Sequence, residues 1–136
     1  MKKTIVGLFV GVIMVLIQIP LGQVFQAIFP SLKTEYENPA LFRPWSDPLM
    51  SIMLVQPLLV GIILAWIWDL TKGIVKGNLL MEKGIYFGFV YWITTIPGMI
   101  MSYSSFPISI VMVISWSVTI FVQSLLAGVL FARTLK

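Results

Sequence analysis

From residue 84 to residue 132 the chain runs through 49 consecutive residues without a charged side chain. A helix rising 1.5 Å per residue needs ~20 residues to cross ~30 Å of hydrocarbon, so this stretch is too long for one membrane span and has to turn. Ser102-Tyr-Ser-Ser-Phe-Pro107 is its only polar, proline-terminated segment and sets the turn there. Two shorter uncharged stretches, 4–32 and 48–68, hold one span each. The pattern predicts four helices near 4–29, 48–69, 84–104 and 107–132, that is, an all-α integral membrane protein. Composition agrees, since 10% charged residues and a mean hydropathy of +1.00 lie far from the roughly 25% charge of soluble domains.

Lys2 and Lys3 ahead of an apolar run resemble the start of a secretory signal. The run passes the ~7–15 residues of such a signal, and no small-x-small cleavage site follows, so it reads as an uncleaved first helix. Direction follows from the basic residues, which are retained on the cytoplasmic side. Lys2, Lys3, Lys72, Lys76, Lys83, Arg133 and Lys136 fall on one side of a four-span path, and Lys33 and Arg43 on the other. Both termini are therefore expected in the cytoplasm, with the plasma membrane as location. Trp45 at one end of the second span, and Trp66 and Trp68 at the other, suit interfacial aromatic belts.

The two halves of the chain resemble each other. Gly7-Leu-Phe-Val-Gly11, Ile19-Pro20 and Phe29-Pro30 overlay Gly84-Ile-Tyr-Phe-Gly88, Ile96-Pro97 and Phe106-Pro107 without a gap, at an offset of 77. Val55-Gln-Pro-Leu-Leu-Val-Gly61 through Ala65 then overlays Val122-Gln-Ser-Leu-Leu-Ala-Gly128 through Ala132 at an offset of 67. Shared Pro, Gly and Gln in one order point to duplication of a two-helix hairpin. Both copies start on the same side, so they are parallel repeats, related by a pseudo-two-fold axis along the membrane normal. Residues 1–70 form the first hairpin with an extended external loop at 31–47, residues 71–83 a cytoplasmic loop, and residues 84–136 the second hairpin.

With no Cys and no His, thiolate nucleophiles, disulfides, zinc-thiolate sites and imidazole ligands are excluded. No metal or cofactor is expected, nor an enzyme: Glu35, Glu37, Asp47, Asp69 and Glu82 form no recognisable catalytic pair. A charge of +4 on so apolar a chain does not imply nucleic acid. No Asp, Glu, Lys or Arg interrupts a span, whereas proton-coupled carriers mark their routes with such groups.

What each helix does carry is a pair of small residues four apart: Gly7 and Gly11, Gly61 and Ala65, Gly84 and Gly88, Gly128 and Ala132. In lipid, helices associate by close backbone approach over such residues. Gln18, Gln56, Thr95, Thr119 and Gln123 add polar groups within the spans, as interhelical hydrogen bonds or as the lining of a polar path. Pro20 and Pro97 should kink their helices, with Thr94, Thr95 and Ser102 at hand for the freed carbonyls. The expected role is a non-enzymatic bundle in the lipid bilayer acting through association, with itself or as an accessory subunit of another membrane protein. The alternative is a small channel or facilitator for a neutral or weakly polar solute. The external loop is expected to be a lid or docking surface.

Overall fold

Residues 1–136 are described by a computed structural model, and all of its regular structure is helical. The elements are α1 (Lys2–Ile28), α2 (Ser31–Tyr36), a 3₁₀ segment (Pro48–Leu54) leading into α3 (Val55–Thr71), α4 (Leu80–Ser105) and α5 (Ile110–Thr134). Four helical stretches are long and apolar enough to cross a bilayer: Lys2–Ile28, Pro48–Thr71, Leu80–Ser105 and Ile110–Thr134. Only 24 of 136 residues are buried, and residues such as Leu16, Ile63 and Ile100 lie exposed along the helices. Such outer faces suit lipid, and the chain has the makeup of a multi-pass membrane protein.

The helix boundaries follow from local chemistry. Asp47 Oδ1 accepts the Leu49 N–H at 2.9 Å, capping the turn that Pro48 opens. Pro57 has no N–H to give the Met53 carbonyl, and the chain before it is wound as the tighter 3₁₀ form. At α4 the Glu82 carboxylate accepts from the N–H groups of Asn78 and Leu79, at 2.9 and 3.2 Å. The helix therefore begins at Leu80, before the uncharged stretch does. Charge limits the hydrocarbon-buried length; it does not end a helix. The chain reaches that cap through Gly77, whose φ of +140° disfavours any side chain.

Helix α1 packs along α3, and α4 along α5. Between these hairpins α5 lies on α1 and also touches α3. The end of the bundle that holds both termini is filled by Val10, Met14, Leu64, Trp68, Phe87 and Phe131 with their small neighbours. At the opposite end Leu32, Ile108, Met112 and Val113 form a second core. At the end with the termini, α4 meets the first hairpin through Phe87, whose ring stands edge-on to Trp68 at 5.3 Å. A two-fold arrangement would have α3 and α4 in contact as extensively as α1 and α5 are, and they are not.

Two expectations need correction. Trp68 is 1% exposed and belongs to the core rather than to a lipid-facing belt; its indole N–H donates to the Leu135 carbonyl at 3.2 Å. Trp66 and Trp45 are exposed, as a belt requires. The second concerns the hydroxyls near Pro97; α1 and α4 both continue as helix through their prolines, which a kink allows. Near Pro97 the hydroxyls of Thr94, Thr95 and Ser102 donate to the carbonyls of Tyr91, Trp92 and Gly98, not to that of Ile93, which the proline frees.

Candidate functional site

The small residues lie where the two hairpins close. A Cβ built on Gly7 would stand 2.6 Å from Ile62 Cα and 2.7 Å from the Gly61 carbonyl oxygen, and one on Gly11 would stand 2.7 Å from Leu58 Cα and 2.8 Å from Pro57 O. In the second hairpin, Cβ atoms on Gly84 and Gly88 would meet Gly128 O and Val129 Cα, and Ser124 O and Leu125 Cα. These four contacts of the first hairpin recur in the second, atom for atom, at the offsets of 77 and 67. Gly61 and Gly128 face back onto Gly7 and Gly84, and Ala65 and Ala132 are fully buried beside them. The small-residue pairs thus lie within the chain, and their contact surfaces are occupied.

The polar candidates divide between two seams. Gln123 is 4% exposed, and its Nε2 donates 2.8 Å to the Met14 carbonyl, tying α5 to α1. Gln18 and Thr119 each lie one turn farther along these antiparallel helices, at one level and half-buried. The Thr119 hydroxyl donates to Ser115 O at 2.8 Å. Thr95 is on α4, half-buried, bonded to its own helix. Gln56 is exposed on α3, and its amide has no partner in the chain. Gln18, Thr119 and Gln123 therefore share the α1–α5 seam, and Gln56 and Thr95 lie outside it.

The long loop between α1 and α3 is docked on its own chain. Leu32 is 1% exposed among Ile108, Met112 and Val113. The Glu35 carboxylate accepts the Ser109 N–H at 3.1 Å, at the positive start of α5, where a negative group is stabilising. One residue on, Tyr36 Oη accepts the Trp116 indole N–H at 2.6 Å, and Phe42 packs edge-on to Trp116. Burial raises the Tyr36 phenol above its ordinary pKa, against the smaller opposing effect of the Trp116 bond. Sequence reasoning missed Glu35, Tyr36 and Trp116 as a set, because 80 residues separate the last two. The only signal was that the first loop is longer than its counterpart.

At the end with both termini, Asp69 lies between Lys3 and Lys72, at 2.9 and 3.0 Å. Lys72 also donates to the carbonyls of Leu135 and Lys136, and Lys3 sits over the Trp66 ring at 4.5 Å. A cleft of about 260 Å³ opens beside this cluster. A second, of about 180 Å³, lies in the long loop beside Tyr36, Phe42 and Trp45. Both are at the ends of the bundle. No three acidic side chains come together as a metal would require.

Comparison of the chain with family models, with curated proteins and with solved structures found no match.

Proposed function

We propose that this chain is a non-enzymatic helical bundle of the plasma membrane, with both termini in the cytoplasm, that acts by associating with itself or with another membrane protein. Gln56 carries this reading. It lies eight residues into the Pro48–Thr71 span, on an exposed apolar face, with its amide unpartnered. An amide left unpaired in hydrocarbon costs roughly 2–7 kcal/mol, whereas an interhelical hydrogen bond returns a net ~0.6–2 kcal/mol. A partner helix that supplies a carbonyl is favoured over lipid.

All five acidic side chains are engaged in structural contacts, which supports a role without catalysis. Asp69 pairs with two lysines, Asp47 caps a turn and bonds Arg43, Glu35 and Glu82 cap helices, and Glu37 stands 3.9 Å from Lys33. The orientation rests on the basic residues around Asp69, which gather at the end holding both termini. The matched glycine contacts support descent from one duplicated hairpin. The channel reading draws less support, because the side chains of Gln123, Thr95 and Thr119 already bond to backbone carbonyls.

Native mass measurement of the full chain from mild detergent tests the proposal. The expected result is a mass above that of one 15.3 kDa chain, as a homo-oligomer or with a second membrane protein. A bare monomer with no companion would refute it.

A further inference from the structure

The seam between α1 and α5 has an unmade counterpart. By the offsets of 77 and 67, Tyr91 of α4 holds the place of Met14, and Gln56 of α3 holds the place of Gln123. On α1, which α5 packs against, Ile17 and Leu21 are half-buried, while their counterparts Thr94 and Gly98 on α4 are exposed. On α3, exposure rises along one stripe from the end with the termini outward: Trp68 1%, Leu64 3%, Val60 half-buried, Gln56 exposed. Trp68 and Phe87 close the groove between α3 and α4 at that end, and farther out Gln56 on one wall and Thr94 and Gly98 on the other are exposed. Its two walls are the complementary halves of an interface that this same sequence pattern already forms once.

We infer that a second copy of this chain fills the groove, α3 of each copy lying on α4 of the other, with Gln56 Nε2 donating to the partner's Tyr91 carbonyl. The inference rests on the association reading and names its partner and its surface. Both half-interfaces border one groove, so two copies facing each other about a two-fold axis satisfy both at once. Contact along the closed end is already made within each chain by Trp68 and Phe87, which confines the pairing to the open half. The Thr94 hydroxyl, which now donates to Tyr91 O at 2.6 Å, rotates away when the amide arrives. The carbonyl then carries one helical N–H and one amide N–H, as Met14 O does now.

The absence of native cysteine makes the test free of background. Chains carrying Gln56→Cys and chains carrying Thr94→Cys, differently tagged, are co-expressed in one membrane and treated with a short thiol cross-linker. The expected product is a covalent dimer bearing both tags. Without cysteine, Gln56→Leu should weaken dimerisation about threefold to twentyfold per bond lost. If instead the double variant Q56C/T94C cross-links within one chain and the mixed chains do not, the groove closes on itself and the inference is wrong. If the mass shows self-association but neither arrangement cross-links, the groove inference fails and the association reading stands. A bare monomer defeats both.

Discussion

Adding one methyl group at Gly84 or Gly128 tests whether the hairpins are held by backbone contact. A Cβ at residue 84 would stand 2.5 Å from Gly128 O and 2.9 Å from Val129 Cα. Carbon atoms in optimal contact sit ~3.5–4.0 Å apart, so α4 and α5 have to separate by about 1 Å. A gap of that size forfeits a quarter to a half of each contact's ~0.1–0.2 kcal/mol. Over a seam on the order of fifty atom pairs the loss is about 1–5 kcal/mol, centred on ~3, of which alanine's helix preference returns about 1 kcal/mol. Gly84→Ala and Gly128→Ala should each destabilise by about 1–3 kcal/mol, within the range for overpacking. Gly22 is the control, since nothing lies within 4 Å of a Cβ built there and Gly22→Ala should be neutral or stabilising. The double variant G84A/G128A should cost less than the two singles together, because the first methyl has already opened the gap that the second needs. Thermal unfolding of the purified full chain in detergent reads all four. Equal stability of G84A, G128A and G22A would refute the reasoning.

Gln123→Leu should lower stability by ~0.6–2 kcal/mol through loss of the bond to Met14, while Gln56→Leu leaves the stability of the single chain unchanged; chemical unfolding at monomeric dilution separates them. Tyr36→Phe leaves the Trp116 indole N–H without its acceptor and should cost about 1–3 kcal/mol, read as faster proteolysis after Lys33 and Arg43. The Leu49 N–H, and then Arg43, hold the Asp47 carboxyl below the usual carboxylate range. Its folded pKa is depressed, so its contribution is complete above the unfolded value of about 3.9 and is lost as pH falls through the lower folded value. Amide exchange at Leu49 should therefore accelerate as pH drops below about 4, relative to the intrinsic rate, and Asp47→Ala should show the acid-state protection at every pH.

The spans could be read in the sequence because hydrocarbon excludes charge, and the four predicted stretches match the four long helices to within four residues at every end. Their ends were less legible. Glu82 lies outside the uncharged stretch, yet its carboxylate starts α4 by capping it. The glycine pairs were legible as packing surfaces, since small residues four apart share a helix face. Which helix each pair would meet was not, because every span carries one. Trp68 and Trp66, two residues apart, have the same composition signal and opposite fates: one is buried against Phe87, the other exposed beside Lys3. Pairing across 80 residues, as between Tyr36 and Trp116, leaves no periodic trace.

The two hairpins share their internal contacts but not their surroundings, and the loop between α1 and α3 accounts for the difference. It runs over residues 29–47, against 106–109 between α4 and α5. The longer connection costs about 1.4 kcal/mol more in closure entropy, taking (3/2)RT ln of the length ratio. Burying Leu32 alone returns ~1.5–3 kcal/mol, and Glu35 and Tyr36 add two hydrogen bonds, one of them charge-assisted. Through these contacts the loop ties the far end of α1 to the far end of α5, beyond the seam where Gln123 meets Met14. The short connection between α4 and α5 has no residues with which to reach α3. No loop clamps α3 against α4, whose contact centres on Trp68 and Phe87 with Val60 and Tyr91 packed on the same core, so the seam that is closed on one side is left open at Gln56 on the other. The asymmetry that exposes Gln56 follows from chain connectivity together with the smaller and more polar Thr94 and Gly98 that α4 carries where α1 has Ile17 and Leu21.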